Sequence, residues 1–454
     1  MAQIAKGCGV MNIILLSGGS GMRLWPLSTS ARSKQFLKLL QDENGRPESM
    51  VQRVYRQLLD AKLEANHILM ATAATQQEAI LGQLGNRIEI VAEPERRNTF
   101  PAIVLSTAYL YFEKKCSPEE VVVVMPVDTY TEPAYFDILR QMAETVGSNF
   151  ADLVLMGIKP WEPSEKYGYM LPKSGQAAEV SQIDRFVEKP TANVAREMIA
   201  SGAMWNGGVF AFRLGYLMKI AEAAIHPVSF EDIRRRYHEL TNESFDYAVV
   251  EKAKSVAMIP FDGLWKDLGT WNSLTEELST NEIGKAILSE DVQNTHVINK
   301  LDIPIVTIGA SNLIVAASPE GILVADKEKS ASLKEYVPRS RRPMYEERRW
   351  GEYRVIDSTE LSDTKSLTKH LFVKAGAAIS YQRHAMRDEI WILIDGVGEL
   401  VIDGQRKPVG RGDVVQIEKS CLHALLAITD IQMIEVQIGT ELTETDIERF
   451  DWDW

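Results

Sequence analysis

Two cations stand beside a glycine-rich turn near the start of the chain. The turn reads Ser17-Gly18-Gly19-Ser20-Gly21, Arg23 follows two residues later, and Lys34 lies eleven residues beyond Arg23. Glycines let a backbone pass close to a phosphate and aim its N–H groups at it. A guanidinium offers a planar fork for phosphate oxygens and an ammonium a point charge. The set is suited to clamping a polyphosphate. It fits neither of the two commonest phosphate cradles: Leu24 stands where a dinucleotide fingerprint needs its third glycine, and no Gly-Lys-Ser/Thr follows. Asp128 and Asp267 are hard oxygen ligands of the kind Mg²⁺ takes when it is held by few carboxylates plus substrate phosphates. Each residue also has a plainer use. Arg23 and Lys34 would serve as solvated surface charges, Asp128 as a helix N-cap, Glu188 as an ion-pair partner for Lys189, and Asn206 as a turn residue.

The elements that position these groups read as an α/β fold. Met11–Leu16, His67–Ala71, Ile88–Ala92, Val121–Val127 and Ala151–Ile158 are short buried strands. Helical spacing covers Ser49–Lys62, Gln76–Leu84 and Ala102–Lys114. Alternation of the two predicts a Rossmann-like domain with a mainly parallel sheet, whose ligands sit outside the C-terminal strand ends. Gly18 and Asp128 both follow such ends. After about Leu288 the pattern becomes short β segments. The expected division is a domain over 11–287, a small solenoid-like β appendage over 288–338, a charged linker over 339–349, and an all-β barrel over 350–454.

The formal charge of −13 argues against broad nucleic-acid or anionic-membrane binding. No apolar run approaches the ~18 residues of a membrane span. The apolar stretch at 9–16 is short and runs into the glycine turn, so no signal peptide is expected. Cys8, Cys116 and Cys421 are too few and too far apart for a disulfide or zinc framework, which points to a reducing, cytoplasmic setting.

With Lys34-Gln35-Phe36 added, the segment Gly18 to Ser28 resembles the pyrophosphorylase motif of the mannose-1-phosphate guanylyltransferases, with Met22 where threonine is usual. Four further segments resemble that family's motifs in order. They are Glu93-Pro94 with Arg97-Asn98-Thr99 and Phe100 where alanine is usual, Phe186-Val187-Glu188-Lys189-Pro190, Trp205-Asn206-Gly207-Gly208, and Trp265 to Trp271 around Asp267. The resemblance implies GMP transfer from GTP to mannose 1-phosphate. It makes Arg23 and Lys34 catalytic, Gly18, Gly19, Gly21, Arg97, Asn98 and Thr99 nucleotide-binding, Glu188, Lys189, Asn206 and Gly208 sugar-phosphate-binding, and Asp128 and Asp267 the Mg²⁺ ligands. It also implies a homo-oligomer. A transferase for another sugar or base, and a regulatory sugar-nucleotide-binding relative, are the alternatives. The presence of both cations and both aspartates favours the enzyme.

The C-terminal region resembles the type II phosphomannose isomerase domain, a cupin, whose motif is Gln-x-His-x-His-Arg-x-Glu-His-Trp. Gln382, His384 and Glu389 match it, while Met386 and Ile390 stand where histidines are expected. With His423 downstream, these matching residues form a candidate site for Zn²⁺ or another divalent ion. The two missing histidines, and an ending of Phe450-Asp451-Trp452-Asp453-Trp454 in place of Tyr-Gly-Arg, leave isomerase activity open.

Overall fold

A computed structural model describes residues 11–19, 22–29, 32–173, 178–337, 343–360 and 363–454. The chain divides into two compact units. One comprises 1–20, 35–77 and 86–277; the other comprises 21–34, 78–85 and 278–454.

The first unit is built on a nine-stranded sheet. Its strands are β1 (Met11–Ser17), β2 (Ile68–Ala73), β3 (Glu89–Glu93), β4 (Val121–Pro126), β5 (Leu153–Ile158), β6 (Tyr169–Pro172), β7 (Ser181–Val187), β8 (Met204–Arg213) and β9 (Val256–Phe261). They lie in the order β3-β2-β1-β4-β8-β5-β9-β7-β6. β3, β2, β1 and β4 run parallel, as their continuous apolar sequences require when helices cover both faces. β8 runs antiparallel to both β4 and β5, so the sheet is mixed beyond β4. A strand buried on both faces has the same apolar run in either direction, so hydropathy gives no sense of its polarity.

The helix Met50–Asp60 begins with a capping box between Ser49 and Gln52. The helix Thr99–Phe112 is apolar nearly all round and lies inside the core with Ile14, Val122, Phe210 and Phe212.

In the second unit, Glu282–Ile283, His296–Asn299 and Leu313–Ser318 stack in parallel, as do Ala286–Leu288 and Ile305–Thr307. This stacking is that of parallel β coils. The C-terminal barrel pairs a six-stranded and a five-stranded antiparallel sheet around Trp391, Leu400, Leu425 and Met433. The charged stretch 339–349 differs from the linker expected of it. Its residues 339–342 lie outside the described residues, but Tyr345–Arg348 is an edge strand paired with Gly351–Glu360. Its charges have partners: Glu347 binds Arg32 at 2.7 Å, and the Arg32 guanidinium lies 4.9 Å from the Tyr345 ring centroid. Charged residues on an edge strand look like a linker when only composition is read.

Candidate active site

The glycine turn follows β1, and the register Leu16↔Pro126 sets it beside the end of β4. Gly19 has a φ of 113°, open to glycine and strained for other residues. The turn is held from below by amides. Gln35 Nε2 donates to Ser17 Oγ at 3.2 Å and to the Gly18 carbonyl at 3.3 Å, and Gln76 Nε2 reaches the Gly19 carbonyl at 3.5 Å. Arg96 also donates to the Gly19 carbonyl. These carbonyls are thus occupied by the protein. Sequence alone marks neither Gln76 nor Arg96, since an isolated amide or cation carries no signal. Gly21 lies outside the described residues. Arg23 is exposed on the short 3₁₀ segment Met22–Leu24, and Lys34, half-buried, opens another at Lys34–Phe36. Between them, Trp25 packs against Gly321, where a Cβ would come within 2.6 Å of the indole.

Strand pairing brings the backbones of the two aspartates close. Asp128 lies just past the end of β4, and the next strand, Thr129–Thr131, pairs antiparallel with Trp265–Asp267 in the register Asp267↔Thr129. Residues 139 apart in sequence are thereby next-door neighbours at the sheet's C-terminal edge. Gly269 leaves room for Asp267, whose Oδ1 would lie 2.9 Å from a Cβ there.

Glu188, Lys189, Asn206 and Gly208 also converge. Lys189 has a φ of 46°, unusual for a side-chain-bearing residue, and pairs with Glu188 through its ammonium. The Glu188 side chain is 5% exposed, while that of Lys189 is 53% exposed. The Glu188 carboxylate lies over Gly168, and the Gly168 carbonyl accepts from the Asn206 N–H at 2.8 Å. A register shift in β8 between Asn206 and Phe210, with Gly208 at a φ of 70°, turns the Asn206 side chain. Its Oδ1 accepts from Gly208 N at 3.0 Å and its Nδ2 donates to Asp246 Oδ1 at 2.6 Å. An aromatic wall links this cluster to the aspartate strand: Tyr167 lies 4.8 Å from Trp205 and 5.4 Å from Trp265 between ring centroids.

Arg97, Asn98 and Thr99 contact the 237–245 segment. Arg97 donates to the Tyr237 carbonyl at 3.0 Å, Asn98 N donates to Asn242 Oδ1 at 3.0 Å, and Thr99 Oγ1 accepts from Phe245 N at 2.9 Å. Asn98 also caps the helix that begins at Thr99. Glu93, at the end of β3, is buried and accepts from the Tyr237 hydroxyl at 2.6 Å. Burial, tempered by that hydrogen bond, holds its carboxyl above the usual range.

In the barrel, His384, Glu389 and His423 are buried, with ligand atoms within 4.8 Å of one another. Alternation along the strand Arg387–Asp395 sends Glu389 and Trp391 inward and Ile390 outward. Gln382 shares the inner face with His384, sits opposite His423 in register, and accepts from Ser380 at 2.9 Å. Met386 is exposed, away from the cluster. His423 Nδ1 lies 3.0 Å from the Cys421 carbonyl, so that nitrogen carries the proton and Nε2 presents a lone pair. Nε2 has no hydrogen-bond partner and lies 3.7 Å from Glu389 Oε2, also an acceptor. Two buried acceptors facing each other suit a cation between them. Arg387 occupies the other side, at 2.9 Å from Glu389 Oε1 and 3.3 Å from His384 Nε2. Burial lowers His384 to about 4 and lowers His423 as well, so both imidazoles are neutral at pH 7.

An α/β sheet with a glycine turn at a parallel strand end, followed by an all-β cupin-like barrel, is the architecture of a nucleotidyl transferase that carries a sugar-phosphate-isomerase-type barrel. The family model described as nucleotidyl transferase matches residues 12–282, and the chain belongs to that family. The model described as mannose-6-phosphate isomerase C-terminal matches residues 339–452. Among curated relatives, the chain is 31% identical to the xanthan biosynthesis protein XanB of Xanthomonas campestris pv. campestris (strain B100), over 96% of this chain and 97% of that protein. It is 30% identical to the mannose-1-phosphate guanylyltransferase of Escherichia coli (strain K12), again over 96% and 97%. A crystal structure from Thermus thermophilus, described as mannose-1-phosphate geranyltransferase, is 28% identical. It aligns with a TM-score of 0.59 over 72% of this chain and 98% of that one.

Proposed function

We propose that this chain transfers GMP from GTP to α-D-mannose 1-phosphate, giving GDP-mannose and diphosphate. The observation that carries the reading is the register Asp267↔Thr129. It pairs Asp267 with the residue that follows Asp128, and the aromatic contacts of Tyr167 with Trp205 and Trp265 run from that strand to the Asn206 strand; both support the reading. The full-length likeness to mannose-1-phosphate guanylyltransferases supports the choice of sugar and base.

A phosphate oxygen of the sugar phosphate attacks the α-phosphorus, the bond to the bridging oxygen of the β-phosphate breaks, and that electron pair leaves on diphosphate. Little covalent chemistry is asked of the protein, so positioning and charge neutralisation dominate. Lys189 holds the sugar phosphate, Glu188 and Asn206 hold ring hydroxyls, and the backbone around Gly18, Gly19 and Gly21 approaches the triphosphate. Arg23 and Lys34 steady the departing diphosphate. Arg97, Asn98 and Thr99 shape the nucleotide side through their hold on the 237–245 segment. Asp128 and Asp267 fit Mg²⁺, which when bound neutralises charge on the phosphates.

In the barrel, Glu389 and His423, with His384 and Gln382 beside them, are the residues that would hold a divalent ion such as Zn²⁺. His423 Nε2 as an orphaned buried acceptor supports this reading. A screen of nucleotides against hexose 1-phosphates for diphosphate release tests the transfer. Release with GTP and mannose 1-phosphate above every other pair is expected; a preference for another pair overturns the assignment. Conversion of mannose 6-phosphate to fructose 6-phosphate by the same preparation tests the isomerase question separately.

A further inference from the structure

Asp246 belongs to none of the motifs, yet it sits at the centre of the sugar-side cluster. It lies on the single helical turn Phe245–Ala248, which is capped by Ser244 rather than by Asp246 itself. Its Oδ1 takes the Asn206 amide at 2.6 Å while the other end of that amide is held by Gly208 N. Both ends of Asn206 are therefore fixed, and its orientation is set from the Asp246 side. Glu188 and Lys189 are both near enough to act on the charge of Asp246, Glu188 against ionisation and Lys189 in favour of it. Burial first, then the charge of Glu188, pushes its carboxyl up to about 6.

Lys189, ion-paired to Glu188, offsets only part of the cost of holding the Asp246 carboxylate in a half-buried place near that of Glu188, and the local fold gains no cap from Asp246. The turn that carries Asp246 is also braced: Phe245 N donates to Thr99 Oγ1, Phe100 N donates to the Glu243 carbonyl at 3.2 Å, and Asn98 N donates to Asn242. A sugar ring offers what the arrangement lacks, hydroxyl donors for carboxylate oxygens on two sides. Resting on the guanylyltransferase reading, we infer that Asp246 is a specificity-determining residue of the sugar subsite, accepting a ring hydroxyl opposite Glu188 while locking Asn206. The Arg97-Asn98-Thr99 segment then serves the sugar as well as the nucleotide, by fixing the turn on which Asp246 stands.

The test is steady-state diphosphate release by the full chain and its Asp246→Asn and Asp246→Ala variants. The two substrates are varied in turn, and mannose 1-phosphate is compared with its C2 epimer, glucose 1-phosphate. Removing one buried hydrogen bond to a sugar hydroxyl weakens apparent affinity by about tenfold or more. The expected result is a KM for mannose 1-phosphate raised about tenfold, a narrowed preference over glucose 1-phosphate, and a KM for GTP within about twofold of the parent. Thermal midpoints show whether each variant is folded; the near-isosteric asparagine variant carries the test if alanine does not fold. An unchanged sugar KM and preference in a folded Asp246→Asn protein overturns this inference and leaves the transferase reading standing. A parent protein inactive with every nucleotide and hexose 1-phosphate pair takes both down together.

Discussion

Replacing Gly168 by alanine separates what the sugar-side cluster does for the reaction from what it does for the fold. The φ of Gly168 lies outside the left-handed region, so the backbone itself accepts a side chain there. The penalty comes from space alone. A Cβ would fall inside van der Waals contact with Glu188 Oε2 and lie 2.8 Å from Phe186 Cζ. One obstacle is the far end of a flexible side chain and the other a ring edge at a sheet margin, so both can shift. Overpacking costs about 1–3 kcal/mol, and this site belongs near the lower end. About 1 kcal/mol in a domain of this size moves the thermal midpoint by about 2–4 °C. The functional cost is larger. The Glu188 carboxylate must leave its place over Gly168, and a misplacement near 1 Å costs up to about 10²-fold. The assay is diphosphate release with each substrate varied, alongside thermal unfolding. A rise of about 10- to 100-fold in the KM for mannose 1-phosphate, with GTP KM unmoved and a small loss of stability, is expected. A variant that melts many degrees lower yet keeps the parent sugar KM refutes the reasoning, because Glu188 would then be packing and not binding.

Lys34→Ala should slow diphosphate release about 10²- to 10³-fold with little change in unfolding temperature, as read from single-turnover kinetics. Asp128→Asn and Asp267→Asn should each raise the Mg²⁺ concentration for half-maximal rate about tenfold, with the double variant little worse than either, since paired ligands act as one unit. For Asp246, the folded pKa of about 6 stands above its ordinary 3.8, so its charged form is disfavoured by folding. The cost is absent below about pH 4, grows through pH 6 and is full above it. Allowing for solvent at a half-buried site, it amounts to about 1–2 kcal/mol. Asp246→Asn should therefore gain stability over the parent at pH 8 relative to pH 4, and equal differences at both pH values in denaturant titrations would contradict this. Glu389→Gln should abolish stoichiometric zinc or manganese measured by mass spectrometry. It should also destabilise the barrel, by less than the ~3–5 kcal/mol of a fully unpaired buried charge, because Arg387 loses the nearer of its two carboxylate partners and keeps Asp446 at 3.6 Å.

Much of the candidate site is legible in the sequence because the residues proposed for the chemistry lie in short local strings. The glycine turn, Glu188-Lys189-Pro190 and Trp205-Asn206-Gly207-Gly208 each hold their candidate residues within a few positions, so the resemblance of these short strings to a family's motifs is enough to single them out. The strand-end position of Asp128 followed from the apolar run before it. Residues that act through distant partners left no such trace. Gln76 and Arg96 reach the glycine turn from other elements, and Gly168 matters only because Glu188 lies across it. Asp246 gains its place through Asn206, forty residues away.

The sequence by itself determined the α/β start, the β coils and barrel that follow, and the identity of the chemical groups, since hydrophobic period and short motifs are local properties of the chain. Only the tertiary structure decided which of those groups meet. The reversal of β8 inside the sheet, the pairing of Asp267 with the residue after Asp128, and the approach of His423 Nε2 to Glu389 all depend on register between segments far apart. Strand register is set by the packing of whole faces against one another, a sum over many contacts that no short string of residues contains.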